Sequence, residues 1–131
     1  MTRFPRFTPL LTSFLALCAS AAMAADPRPF NQPSFDQLTR EGKPVIVDVA
    51  APWCPTCRAQ KPIIDKLSQQ AAYKDVTVLT VDFDEDKSTL KALKVSSQST
   101  LIAFKSGKEV ARTVGDTSPA GIEALFKTVT P

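Results

Sequence analysis

Apolar residues in this chain gather into four short runs set apart by polar stretches. Pro44 to Ala50 carries Val45, Ile46, Val47 and Val49, with Asp48 as the one charged residue among them. A run so continuously apolar suits a central strand covered on both faces. Val76 to Phe83 reads as a second buried strand and Thr100 to Phe104 as a third. Glu109 to Val114 is the fourth, and Ser106-Gly107-Lys108 makes it a hairpin partner of the third. Other stretches carry helical spacing. Ser34 and Gln37 form a capping-box pattern that opens a short helix, Phe35 and Leu38 give it a buried face, and Gly42 ends it. Ile63, Ile64 and Leu67 lie on one stripe of a longer helix, from about Pro55 to about Ala71, with Pro62 expected to kink it. Asp84 to Asp86 cap a short helix holding Leu90 and Leu93. Ser118 caps the last helix, with Pro119 at its first position and Ile122, Leu125 and Phe126 facing inward. The early β-α-β order implies parallel pairing and the late hairpin antiparallel pairing. The expected fold is α/β, a mixed four-stranded sheet with helices on both faces.

The first residues follow a different rule. Arg3 and Arg6 precede an apolar stretch, Leu10 to Cys18, and Ala22-Met23-Ala24 offers small residues where a signal peptidase cuts. Residues 1–24 are therefore expected to be a signal peptide and residues 25–131 the folded domain, with 25–33 as an extended leader. The stretch is short for a membrane-spanning helix, which needs about 20 residues. Cys18 follows Leu17 rather than the small residue of a lipoprotein signal, and belongs to the discarded stretch. Without Arg3 and Arg6 the sixteen basic residues become fourteen against thirteen acidic, a net charge of +1 rather than +3. No basic stripe interleaved with aromatics stands out, so nucleic acid is not an expected partner.

Export leaves two cysteines, Cys54 and Cys57, inside Trp53-Cys54-Pro55-Thr56-Cys57. The motif joins the first strand to the longer helix, where a Cys-x-x-Cys reads as a redox pair. Cys54 falls at the helix N-cap and Pro55 at the first helical position, where a missing N–H costs nothing. The Cys54 sulfur is placed to accept from the N–H groups of Thr56 and Cys57, and the helix dipole favours its thiolate. A structural disulfide closing so short a loop would constrain the unfolded chain little. A zinc site needs four ligands. With no histidine in the chain, only a Cys₄ site shared by two copies would meet that need. Trp53, beside the nucleophile, is expected on a contact surface. Asp48, flanked by valines, is expected to be buried and is a functional candidate. The carboxylates of Asp82, Asp84, Glu85 and Asp86 lack the glycine and final glutamate of a calcium loop.

Val47-Asp48 before the motif, Pro62 after it, and Val81-Asp82-Phe83-Asp84, Thr100-Leu101-Ile102, Phe104, Gly107 and Val114-Gly115 follow one another in an order and spacing that resemble the thioredoxin family, over roughly residues 30–128. The resemblance implies the thioredoxin fold for residues 25–131. It implies Cys54 as the attacking thiol, Cys57 as the resolving thiol, and Asp48 as the buried carboxylate that helps move the proton of Cys57. Trp53, Pro55 and Thr56 would support the redox pair. Gln98, Ser99 and Thr100 would form the loop that faces the pair and meets the substrate backbone. Three positions depart from the family pattern. Pro55-Thr56 replaces Gly-Pro, Thr80 stands where a lysine neighbours the buried carboxylate, and Ser99 replaces a cis-proline. A cis bond costs about 2.5–4 kcal/mol before a non-proline residue, against about 0.5–1 before proline, so a trans Gln98–Ser99 bond is expected. Ser99→Pro is expected to alter reactivity more than stability.

The resemblance is closer to exported bacterial thioredoxin-like proteins. It implies a periplasmic, monomeric thiol–disulfide oxidoreductase acting on protein disulfides, with no cofactor and no metal. The absence of a histidine between the cysteines favours the reducing direction. A reductase in an oxidising compartment needs an electron supply, for which a membrane thiol transporter is the implied donor, and cytochrome c maturation is one pathway that uses such relatives. A disulfide oxidase or isomerase is the alternative with the same chemistry. A binding module with non-catalytic cysteines, or cysteines holding a shared metal, is the alternative of another class.

Overall fold

The computed structural model describes residues 26–131, and the expected signal peptide, residues 1–24, lies outside the described residues. The domain contains β1 (Arg28–Pro29), α1 (Gln32–Arg40), β2 (Val45–Ala50), α2 (Pro55–Ser68), β3 (Thr77–Asp82), α3 (Lys87–Ala92), β4 (Thr100–Lys105), β5 (Lys108–Val114) and α4 (Pro119–Lys127). The strands order as β1-β3-β2-β4-β5. β3 pairs parallel with β1 and β2, while β4 pairs antiparallel with β2 and β5. The sheet thus has five strands rather than the expected four. The additional strand is two residues of the proline-rich leader, held by Arg28 and Pro29 in register with Leu79 and Thr80. So short a pairing leaves no apolar run for a sequence reading to find.

Strand periodicity divides the core. Ile46, Val78, Leu101 and Ala103 point to one face, where α2 and α4 cover them with Ile64, Leu67, Ile122, Leu125 and Phe126. Val45, Val47, Val49, Leu79, Val81 and Ile102 point to the other, under Phe35 and Leu38 of α1 and Leu90 and Leu93 of α3. Helices therefore lie on both faces. Asp48 shares the parity of Ile46, so its carboxylate lies on the α2 side of the sheet. The longer helix ends at Ser68, and Ala71–Tyr73 form a separate 3₁₀ turn. α1 begins earlier than expected, because Asn31 Oδ1 rather than a Ser34 hydroxyl is the cap. It accepts the Ser34 N–H at 3.1 Å, and Pro33 sits inside the first turn. Gly42 ends the helix in the left-handed region at φ +70°. Gly107 turns the β4–β5 hairpin at φ +75°, where a Cβ would lie 3.1 Å from the Thr39 carbonyl oxygen.

Candidate active site

β2 delivers the chain to Ala50, and a tight turn places Cys54 at the N-cap of α2 with Pro55 as first helical residue. The Cys54 sulfur accepts the Cys57 N–H at 3.1 Å. The Thr56 N–H, expected as a second donor, makes no such bond. Cys54 and Cys57 are joined as a disulfide with their Cα atoms 5.3 Å apart. They sit among Ala51, Ala50 and Phe83, and Cys54 is only 1 % exposed, Cys57 6 %. The Ser99 loop lies over the Cys54 sulfur, with the Ser99 hydroxyl 3.2 Å away. Pro55 is exposed and Thr56 half-buried.

The loop before β4 supplies that cover. Gln98 is half-buried and Ser99 and Thr100 are buried, with the Thr100 hydroxyl donating to the Ser97 carbonyl at 2.7 Å. The Gln98–Ser99 bond is trans, as the cost of a cis bond implied. Ser99 holds φ +62°, a region that few non-glycine residues adopt. Its N–H donates to the Val49 carbonyl at 2.8 Å, and its carbonyl accepts the Gly115 N–H at 2.9 Å. Its hydroxyl oxygen lies 3.2 Å from the sulfurs of both cysteines. These facts weigh against the expectation that Ser99→Pro alters reactivity more than stability. Proline cannot reach this φ and has no N–H for Val49.

Trp53 is 53 % exposed, in keeping with a contact surface. Its indole N–H donates to Asp84 Oδ2 at 2.7 Å. Asp82 Oδ1 accepts the N–H groups of Asp84 and Glu85, so this acidic run forms a strand end and turn.

On the α2 side a cleft of about 420 Å³ is lined by Pro29, Asp48, Cys57, Lys61, Asp65 and Thr80. Asp48 is 8 % exposed. Burial pushes its carboxyl from 3.8 up to about 6, with Lys61 pulling it down and Asp65 pushing it up. Lys61 is itself paired with Asp65 at 2.8 Å. Thr80 stands beside Asp48 in the sheet register and brings no charge. The cleft therefore joins an acid poised near neutrality to the cysteine that the resemblance makes the resolving thiol.

A family model described as Thioredoxin matches residues 27–128. The chain belongs to the thioredoxin family. Thioredoxin-2 of Saccharomyces cerevisiae is 42 % identical over 90 residues, which is 68 % of this chain and 84 % of that protein. A thioredoxin of Alicyclobacillus acidocaldarius is 35 % identical over 96 residues, 73 % of this chain and 90 % of that one. Among solved structures, that of Trxlp from Edwardsiella tarda superposes with a TM-score of 0.73 at 40 % identity, covering 81 % of this chain and all of that one. The chain is thus a thiol–disulfide oxidoreductase of the thioredoxin type, with Cys54 and Cys57 as its disulfide-capable pair and protein disulfides as its substrates.

Within this thioredoxin fold, sequence reasoning missed the part that two residues play at the site. Gln60 is fully buried on α2, and its Nε2 donates to the carbonyls of Ser99 at 3.3 Å and Asp116 at 2.8 Å. The signal was a polar residue on the stripe that Cys57, Ile64 and Leu67 define. Asp84 stood out only within the family-like Val81-Asp82-Phe83-Asp84 segment and the acidic run; its hold on the Trp53 ring, thirty-one residues away, left no local signal.

Proposed function

We propose that the chain is an exported, monomeric reductase of protein disulfides. Residues 1–24 act as a signal peptide, and residues 25–131 work as the thioredoxin-like domain in the periplasm. The Cys54 thiolate attacks one sulfur of a partner disulfide. That disulfide breaks, and its other sulfur leaves as a thiolate and takes a proton from solvent. Asp48 accepts the proton of Cys57, whose thiolate attacks the Cys54 sulfur. The Cys54–Cys57 disulfide forms, and the second partner sulfur departs reduced. Two electrons have passed to the partner, and a membrane thiol transporter returns them.

The observation that carries this reading is the Cys54 sulfur at the N-terminus of α2, accepting the Cys57 N–H at 3.1 Å. That donor and the helix dipole favour the thiolate needed for attack. The reducing direction is supported by the neutral Pro55-Thr56 between the cysteines and the lack of histidine anywhere in the chain. Export is supported by the basic, apolar and small-residue order of the first 24 positions. A disulfide oxidase is the second reading, favoured by the Ser99 hydroxyl beside both sulfurs.

Cys57→Ser, expressed with the whole N-terminal segment, tests roles and location together. It is expected to accumulate mixed disulfides through Cys54 in the periplasmic fraction. Capture by Cys54→Ser alone would reverse the roles, and retention in the cytoplasm would remove the exported part. Equilibration with glutathione tests direction. A potential nearer to about −270 mV than to about −120 mV supports the reductase, and the reverse supports the oxidase.

A further inference from the structure

Ser99 combines three features to which the proposed exchange steps assign no role. It is a buried non-glycine residue at φ +62°, its hydroxyl lies 3.2 Å from each cysteine sulfur, and that hydroxyl has no other hydrogen-bond partner among the described residues. Glycine would hold this backbone conformation without strain. What serine adds is one O–H, aimed between the two reacting atoms.

In the disulfide neither sulfur carries a proton, so the serine must be the donor, and it faces weak acceptors. Reduction changes the acceptor. When Cys54 becomes a thiolate, the same hydroxyl has a full negative charge within reach, and a hydrogen bond to an ion is the stronger kind. The thiolate then has two donors, the Cys57 N–H and the Ser99 O–H. Cys57, still a thiol at that stage, can donate its S–H to the Ser99 oxygen. No atom or electron is consumed, because the hydroxyl turns and its proton stays on oxygen.

The loop is held for this purpose from three sides. The Ser99 N–H is tied to Val49 at the end of β2, its carbonyl to Gly115 after β5, and the same carbonyl to Gln60 on α2. Gln60 reaches Asp116 with the same amide nitrogen and so locks the two loops to the helix that carries Cys57. A polar residue on the apolar stripe of α2 has this as its visible use.

We propose that Ser99 is a catalytic residue whose hydroxyl holds the Cys54 thiolate, and that Gln60 is the positioning residue that keeps it there. The proposal deepens the oxidoreductase reading and rests on Cys54 and Cys57 being the redox pair. It follows that Ser99 enlarges the thiolate fraction of Cys54 and shifts the equilibrium of the pair toward the dithiol.

The test uses Ser99→Ala, Ser99→Gly and Gln60→Leu in residues 25–131. Thiolate absorbance of the reduced protein is titrated against pH, and the redox equilibrium with glutathione is measured alongside. Both Ser99 variants are expected to raise the Cys54 pKa by about one pH unit, the tenfold effect of losing a hydrogen bond to an ion. The same loss should disfavour the dithiol by about tenfold, or about 30 mV. Ser99→Gly deletes the hydroxyl while relieving the backbone, so a folding defect cannot mimic the result. Gln60→Leu is expected to move the pKa in the same direction in the parent and to have no further effect in the Ser99→Gly background. A pKa and equilibrium within twofold of the parent in both Ser99 variants would overturn the role of Ser99. An effect of Gln60→Leu that persists without the hydroxyl would overturn the role of Gln60. If the parent itself fails to exchange with glutathione, the oxidoreductase reading fails, and that outcome is distinct from both.

Discussion

Asp48→Asn isolates the cost of burying a carboxylate under α2. In the oxidised protein the cysteines do not titrate, so Asp48 is the buried group near the pair whose charge can change. Its carboxyl is pushed from 3.8 up to about 6, chiefly by burial. That displacement, at about 1.4 kcal/mol for each pH unit, amounts to about 3 kcal/mol. The sign follows from which state holds the proton. Below pH 3.8 Asp48 is neutral in both the folded and the unfolded chain and costs nothing. Between 3.8 and about 6 the unfolded chain ionises while the folded protein keeps its proton, so stability falls as pH rises. Above about 6 the full cost is present.

Asparagine keeps the shape and removes the charge. Urea denaturation of the oxidised parent and variant is therefore expected to give near-equal stability at about pH 3.5 and a gain of about 3 kcal/mol for the variant at about pH 8. With a urea slope of about 1–3 kcal/mol per molar, the midpoint at the higher pH should rise by about 1–3 M. Effects of other carboxylates cancel in the comparison. A gain of the same size at both pH values would mean that packing, not ionisation, separates the two proteins. No gain at the higher pH would mean that the carboxylate is solvated through the cleft, and the reasoning would fail. The same variant should reduce protein disulfides more slowly near neutrality, since the proposed acceptor for the Cys57 proton is gone.

Asp84→Ala should free the Trp53 ring, and because Trp53 is the one tryptophan in the chain, its fluorescence anisotropy reports the release without ambiguity. Reduction of a protein disulfide should weaken while small-disulfide exchange is unchanged, and equal losses on both would refute a contact role for the ring. Ser99→Pro should lower stability by about 1–3 kcal/mol, the cost of leaving the Val49 carbonyl without its donor, and an unchanged denaturation midpoint would show that the loop rebuilds freely. Gly107→Ala should be destabilising in thermal denaturation, because φ +75° and the Thr39 carbonyl at 3.1 Å both oppose a Cβ.

What the sequence made legible was whatever repeats or follows a local rule. The valines of β2, the apolar runs of β3 and β4, the hairpin at Ser106-Gly107 and the cap at Ser118 each declare themselves within a few residues. Cys54 and Pro55 did the same for the active site, because an N-cap followed by proline is a local signature. Asp48 was legible as buried because its neighbours are valines, and strand parity then chose its face. Long-range pairings were not legible. β1 is two residues long and exists only because β3 offers an open edge. Asn31 displaced Ser34 as a cap because the helix could begin with Pro33 in its first turn. The burial of Cys54 depends on a loop forty-five residues away, which no local pattern encodes.

Ser99 and Gln60 belong together for an energetic reason. A proline fixes its own φ covalently, whereas a serine at φ +62° must be held there by its surroundings. Three hydrogen bonds to the Ser99 backbone do the holding, and one of them comes from a buried amide. That amide has a cost of its own. Gln60 Oε1 is buried and has no hydrogen-bond partner among the described residues, and an acceptor left so costs about 1–3 kcal/mol. The two bonds made by Nε2 offset a sum of similar size, at about 0.5–1.5 kcal/mol each. Gln60 is therefore close to neutral for stability, and a leucine on this apolar stripe would serve the core as well or better. Its presence is hard to explain by folding alone. It is explained if the product of the arrangement is the position of a hydroxyl between two sulfurs, so Gln60→Leu should leave the denaturation midpoint nearly unchanged while the thiolate titration moves. A large loss of stability with no change in that titration would make Gln60 a structural residue and leave the strained serine without a reason.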